Sequence, residues 1–184
     1  MPPDNNASVS SIAVLLQSIE ESSSDPSFVK DISQWIDALI EENKSTRTPC
    51  ISFASPFANY FDESFLNISY FVIVDKLPSP EHPLFEEFIK KNNLGGITYR
   101  DTYFLLDENK DDLQYHFHEL VHVLQWNILG DESFILKYFQ EIKKHGYENS
   151  PIEKVALELV NLFAQKEEVN NLAYYVESRL RLST

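Results

Sequence analysis

The fold can be worked out from one stretch, His116-Phe-His-Glu-Leu-Val-His-Val-Leu-Gln-Trp126. It lies within a mainly apolar run that starts after two aspartates and ends before Gly130. Carboxylates favour the first turn of a helix and glycine favours its C-terminal end, so this run predicts one helix. Within it, His118 and His122 are four residues apart and share one face, so both imidazole rings can point at one ion.

The two histidines belong to an H-E-x-x-H motif, His118-Glu-Leu-Val-His122. Zinc accepts neutral imidazole nitrogen at about 2.0–2.1 Å, a geometry that two histidines on one helix face can meet. Glu119 is adjacent to the first histidine, from where it can contact a zinc-bound water without binding the metal. The motif therefore predicts His118 and His122 as metal ligands and Glu119 as a general base.

A catalytic zinc site needs a third protein ligand besides a water. The position six residues after His122 is Ile128, which excludes the extended three-histidine pattern. Among the carboxylates of later helices, Glu153 is favoured because it lies just inside the start of a predicted helix, across one intervening helix from the motif. Ser150 and Glu153 also form a capping-box pattern, which alone would explain a glutamate there, and Glu158 is the second candidate. The other carboxylates considered are those of Glu141 and Glu148.

Two β-branched and aromatic runs before the motif predict strands, over 67–75 and 97–106. After the motif, apolar residues at helical spacing predict three more helices. The first ends at His145-Gly146, the second opens at Ser150-Pro151, and the last covers 172–182. These elements predict an α+β fold that is mainly helical, with a small sheet packed on the motif helix.

Residues 1–45 are predicted to form a helical hairpin that packs on a main domain, residues 46–184. Apolar residues at helical spacing from Val9 to Ile19 predict its first helix. Asp25-Pro26 is a good N-cap and N1 pair for its second helix, which carries a broad apolar stripe. An arm that binds a partner is the alternative interpretation of this segment.

The composition excludes several classes of partner and site. The 184 residues include 15 Lys and Arg against 29 Asp and Glu, a formal net charge of −14, so nucleic acid and anionic membranes are poor partners. The single cysteine, Cys50, excludes an internal disulfide framework and every multi-cysteine zinc site. We find no export signal and no apolar run near the roughly 20 residues of a membrane span, so a cytoplasmic location is expected.

Four segments of the chain are Asp75-Lys-Leu-Pro78, Gly96-Ile-Thr-Tyr-Arg-Asp-Thr-Tyr-Phe104, the motif stretch and Gly146-Tyr-Glu-Asn-Ser-Pro-Ile-Glu153. Through these segments, over roughly residues 67–163, the chain resembles small bacterial proteins of the gluzincin type, mostly uncharacterised zinc metallopeptidase-like domains. The resemblance implies a zincin-like core, with His118, His122 and Glu153 as zinc ligands and Glu119 as the catalytic base. It also implies that the strand 97–106 lies along the cleft and offers an edge to an extended peptide.

Positions outside the ligand set bear on whether such a site would be active. Gluzincins often place an aspartate four residues after the ligand glutamate, where it orients a zinc histidine, and here that position is Leu157. Such groups can be worth about 10–100-fold in affinity or activity, so either another group has this role or the site is weaker or degenerate. His145 or Tyr147, just before the third-ligand helix, could stabilise an oxyanion. Tyr147 therefore joins Glu119 as a candidate catalytic residue.

The expected function is that of a zinc-dependent, peptidase-like hydrolase in which Glu119 activates a zinc-bound water for attack on a carbonyl carbon. The alternative is a zinc-binding interaction module that is catalytically degenerate. A third possibility is an acidic helical scaffold without a metal. The expected partner is a peptide or protein substrate, and the residues leave its identity and the oligomeric state open.

Overall fold

The computed structural model describes residues 26–81 and 83–182, which fold into seven α-helices and one four-stranded sheet. This confirms the mainly helical α+β fold, and the three helices predicted after the motif helix are all present. None of the helices within these ranges is long and apolar enough to cross a membrane. In chain order the elements are α1 (Pro26–Asn43), β1 (Thr48–Pro49), α2 (Glu63–Asn67), β2 (Tyr70–Val74), α3 (Pro83–Lys91), β3 (Gly96–Tyr99), β4 (Thr102–Leu106), α4 (Leu113–Leu129), α5 (Asp131–His145), α6 (Pro151–Ala164) and α7 (Leu172–Leu182).

The sheet has the strand order β1-β2-β4-β3, so β4 is an inner strand and β3 lies at one edge. β2 and β4 are parallel, with Val72 opposite Phe104, whereas β3 and β4 are antiparallel, with Ile97 opposite Phe104. The strand predicted over 67–75 is confirmed in its centre, as β2. All of β4 except Leu106 is buried, as expected of an inner strand covered by helices. The outer strand, β3, packs against α4.

The single strand predicted over 97–106 is wrong, because a hairpin turn at Arg100 divides it into β3 and β4. The φ of Arg100 is 56°, a backbone conformation that is uncommon for residues other than glycine. Its guanidinium forms ion pairs with Asp37 of α1 and Asp131 of α5. These tertiary contacts stabilise a turn that has no glycine, proline or asparagine to signal it in the sequence.

The motif helix, α4, is surrounded by the sheet and by α5, α6 and α7. It begins at Leu113, where the side chain of Asp112 accepts a hydrogen bond from Gln114 N at 2.8 Å, and such a cap is worth about 1 kcal/mol. It ends at Gly130, whose φ of 76° glycine adopts without a steric penalty. Nine of its side chains are buried, on more than one face. The motif therefore lies within the core of the protein.

The second helix of the predicted N-terminal hairpin is α1, whereas the first, over residues 9–19, lies outside the described residues. α1 packs on α5, and the ring of Phe28 lies 5.6 Å from that of Phe139. The ring of Trp35 meets that of Tyr99, the last residue of β3, at 5.1 Å. α1 therefore contacts both the helices and the sheet.

Candidate metal centre

Three donor atoms from α4 and α6 come together at one point. His118 Nε2 and His122 Nε2 are 3.0 Å apart, and Glu153 Oε2 lies 3.4 Å from the first and 3.3 Å from the second. Ligand atoms at about 2.0–2.1 Å from a tetrahedral zinc ion are about 3.3 Å from one another. The three atoms therefore have the spacing of three corners of a zinc site, and this buried group could bind a metal ion.

The first turn of α6 explains how Glu153 reaches the two histidines. Ser150 is the N-cap residue, and its hydroxyl accepts a hydrogen bond from the Glu153 backbone N–H at 3.3 Å. The carboxylate of Glu141 in α5 accepts a second hydrogen bond, from Ile152 N, at 2.8 Å. The N-cap therefore accounts for the backbone of this turn, while the Glu153 side chain is directed at the histidines. A capping pattern and a ligand role are compatible here.

The other carboxylates considered as third ligands lie elsewhere. Glu158 forms an ion pair with Arg179 of α7 at 3.0 Å. Glu148 is exposed in the loop before α6, and Glu141 is engaged with the start of α6. Among the described residues, Glu153 is the carboxylate that completes the group with the two histidines.

Burial and mutual attraction set the protonation of the metal-free cluster. The side chains of His122 and Glu153 are only 8% and 3% exposed. Burial alone would lower the pKa of His122, but the adjacent carboxylate of Glu153 outweighs it and raises that pKa to about 9. Burial would also raise the pKa of Glu153, but the two histidines hold it well below its usual range. Without a metal, a proton on His122 therefore neutralises the charge of Glu153.

Glu119 lies beside the donor cluster without belonging to it. Its side chain is buried, and Thr98 of β3 donates a hydrogen bond to its Oε2 at 2.6 Å. Gly96 lies against the other oxygen, since a Cβ at that position would be 2.5 Å from Glu119 Oε1. Burial raises the pKa of Glu119, whereas the two histidines and the Thr98 hydrogen bond oppose that rise. β3 therefore orients this carboxylate through Thr98 and leaves room for it at Gly96.

Gln125 connects the two elements that carry the ligands. His122 Nδ1–H donates to Gln125 Oε1 at 2.8 Å, and Gln125 Nε2 donates to the carbonyl oxygen of Ile152 at 3.0 Å. The side chain thus fixes the ring orientation of His122, with Nε2 left for the metal, as outer groups do in metal sites. Leu157, the position at which gluzincins often have an aspartate, is 46% exposed. The role of Gln125 was not predicted from the sequence. A usable signal was its amide side chain, which lies three residues after His122 and therefore on nearly the same face of the helix.

Tyr147 lies between α5 and α6, at the edge of the cluster. Its ring packs on that of Phe88 in α3, with centroids 5.7 Å apart. Burial raises the pKa of Tyr147, and the charges of Glu153 and Glu119 raise it further, so the hydroxyl keeps its proton and can donate. His145, the other candidate, is exposed at the C-terminal end of α5.

His116 belongs to a separate buried chain of hydrogen bonds. Its Nε2–H donates to the carbonyl oxygen of Lys110 at 2.7 Å, and its Nδ1 accepts from Tyr103 OH at 2.7 Å. Tyr103 OH also lies 3.6 Å from the Sγ of Cys50. Burial lowers the pKa of His116 and raises that of Cys50 to about 12. His116 is therefore held away from the donor cluster, and Cys50 is a buried, protonated thiol.

No protein-family model matches the chain, and neither a curated protein nor a solved structure shows significant similarity to it. The function is therefore inferred from the donor spacing and from the residues around it.

Proposed function

We propose that this protein is a zinc-dependent, peptidase-like hydrolase in which Glu119 is the general base. The observation that carries the proposal is the tetrahedral spacing of three ligand atoms, with a further carboxylate held beside them by β3. Two histidines and one glutamate form the ligand set of catalytic zinc sites that keep a fourth position open. A structural zinc site would have four protein ligands, and the described residues supply three.

Zinc, when bound, supplies Lewis acidity that polarises a carbonyl group and makes water more acidic. The protein's own residues have the remaining tasks. Glu119 accepts a proton from the attacking water and later gives it to the leaving amine. Tyr147 donates a hydrogen bond to the carbonyl oxygen as that oxygen gains negative charge. Gln125 keeps the ring of His122 in place throughout.

The position of β3 supports a peptide as the substrate. β3 is an edge strand of the sheet, and its Thr98 contacts Glu119 directly. An extended peptide that added to this edge would be held by main-chain hydrogen bonds, with its backbone passing close to Glu119. Binding of this kind depends little on the substrate's side chains, so they must be selected elsewhere in the site.

The test compares wild type with Glu119→Gln in metal content and in cleavage of a peptide library, with a chelator control. We expect about one zinc per chain in both proteins, because Glu119 is not a ligand. Hydrolysis should fall by at least about 10²-fold in the variant, because glutamine cannot accept the proton. Glu158→Gln, which alters an exposed glutamate in α6, is the matched control and should keep its activity. A protein that holds no zinc, even after zinc is added, would contradict the proposal.

A zinc-binding interaction module without turnover is the second candidate. Leu157 favours it, because gluzincins often have at that position an aspartate that orients a zinc histidine, and here the position is an exposed leucine. Zinc bound at one per chain with no cleavage in either wild type or Glu119→Gln would favour this candidate. Unchanged cleavage in Glu119→Gln would instead mean that the water is activated by another group.

A further inference from the structure

An apolar cavity of about 100 Å³ lies directly beside the metal centre. Its polar end is formed by Glu119, His122 and Glu153, together with Thr98. Most of the remaining wall is aliphatic or aromatic and is contributed by α1, α3, α5 and β3. Six of these wall residues are Ile32, Ile36, Phe88, Ile89, Ile135 and Ile142.

The cavity needs an explanation, because protein interiors are close packed and empty apolar space lowers stability. It is continuous with the site, since two metal-ligand candidates and the proposed base are part of its wall. One side is formed by Ile32 and Ile36 of α1, a helix outside the segments that resemble gluzincins. The cavity is therefore assembled by this chain's own arrangement of helices around the metal centre.

We infer that the cavity binds a branched aliphatic side chain of the substrate, of the size of leucine or isoleucine, next to the bond that is cleaved. This inference depends on the proposed function and adds a substrate class to it. A cavity of roughly 150 Å³ admits benzene, and the cavity at about 100 Å³ is smaller, so its volume suits one side chain of the size of leucine or isoleucine and not a two-ring aromatic group.

The chemistry of the wall leads to the same class. The wall residues include no lysine or arginine in the described part of the chain, so an acidic side chain would be buried without a partner, at a large cost. A basic side chain would meet carboxylates that are already engaged, Glu119 with Thr98 and Glu153 with the histidines. An uncharged aliphatic group makes contacts along the whole apolar wall and leaves these polar pairs intact.

The probe is a series of hydroxamic acids, which bind zinc and carry different groups toward the cavity. The series is acetohydroxamate, 4-methylpentanohydroxamate and a naphthylpropanohydroxamate, and calorimetry on the zinc-loaded protein measures each affinity. Each buried methylene contributes about fourfold in affinity, so 4-methylpentanohydroxamate, with four more carbons, should bind about 200-fold more tightly than acetohydroxamate. The naphthyl compound should lose most of that gain because it exceeds the space.

Two isoleucine-to-phenylalanine variants distinguish the effect of filling the cavity on affinity from a general effect of altered packing. Ile89→Phe places a larger side chain in the cavity wall, so it should abolish the gain of the branched compound while acetohydroxamate binds as before. Ile128→Phe is the matched control, since Ile128 is half-buried in α4 and is not part of the wall. Ile128→Phe should still bind 4-methylpentanohydroxamate more tightly than acetohydroxamate, as wild type does. Ile89→Ala enlarges the cavity, so it should shift the preference toward the naphthyl compound.

Equal affinity for acetohydroxamate and the branched compound would overturn the inference, and so would equal losses in Ile89→Phe and Ile128→Phe. If no hydroxamate binds, the zinc proposal fails, and the cavity is then tested without metal. In that arm, methyl NMR spectra of the metal-free protein are recorded with 4-methylpentanamide or with acetamide. Shifts of the wall isoleucines with the first compound alone would support the cavity as an aliphatic site, and no shift with either would overturn it.

Discussion

Replacing Gly96 by alanine tests whether β3 positions the proposed base. The new Cβ would lie 2.5 Å from Glu119 Oε1 and 2.6 Å from Leu105 Cδ2, well inside van der Waals contact, so the Glu119 carboxylate must move by several tenths of an ångström. That movement weakens the 2.6 Å hydrogen bond from Thr98, and a buried group that loses its partner costs about 1–3 kcal/mol. A loss of about 2 kcal/mol corresponds to a fall in Tm of roughly 4–8 °C for a chain of this size.

The measurements are Tm, zinc content and cleavage rate. Zinc content should be unchanged, while the rate should fall by about 10²-fold, because a base displaced by this distance no longer meets the water correctly. Gly95→Ala is the matched control, since its Cβ would meet the side chains of Asn109 and Tyr115 and not Glu119. It should lower Tm and leave the rate near wild type.

The cause of the stability loss can be tested without any activity. In a Glu119→Ala background, Gly96→Ala should cost much less than it does in wild type, because the carboxylate it collides with is gone. If Gly96→Ala lowers Tm equally in both backgrounds, the collision with Glu119 is not the cause. If the cleavage rate stays at the wild-type level, positioning of Glu119 by β3 is not needed for the reaction.

The remaining predictions concern the metal centre, and each is tested by zinc titration. Glu153→Ala should weaken zinc binding strongly, whereas Glu158→Ala should barely change it; the reverse ranking would contradict the ligand assignment. Gln125→Leu should weaken zinc binding by about 10–100-fold, because the His122 ring loses the acceptor of its Nδ1–H, and unchanged affinity would show that the ring is held by packing alone. The pKa of His122 is raised to about 9 in the metal-free protein, and zinc must displace that proton, so affinity should fall about tenfold per pH unit below 9 and level off above it. An affinity that is flat between pH 6 and 9 would contradict this protonation state.

Local periodicity was sufficient for α1, for the motif helix and for the three helices that follow it, but not for α2, which was not predicted. The spacing of apolar residues and the caps at Asp112, Gly130 and Ser150 are properties of the backbone over a few residues, so they can be read from the chain directly. The same local geometry places His118 and His122 on one helix face, which is why the first two ligands needed no tertiary information.

The strand prediction failed where a turn depends on distant residues. Arg100 adopts a positive φ between β3 and β4, and its ion pairs with Asp37 and Asp131 come from α1 and α5. Within the turn itself, Asp101 is the single residue of a type that favours turns, and it is a weak signal between two strand-forming runs. The role of Gln125 was missed for a related reason, since its second partner is a carbonyl oxygen in α6, 27 residues away.

The sequence alone therefore determined the motif helix, the placing of His118 and His122 on one of its faces, and the place of Glu119 beside them. The packing of α6 against α4 decided between Glu153 and Glu158, because the two are on different faces of α6 and only one face meets the histidines. Packing likewise decided how Glu119 is oriented by β3 and how α1, α3 and α5 enclose the cavity. These features depend on distances between residues far apart in the chain, and such distances are set by how whole elements pack, not by the order of residues within any one of them.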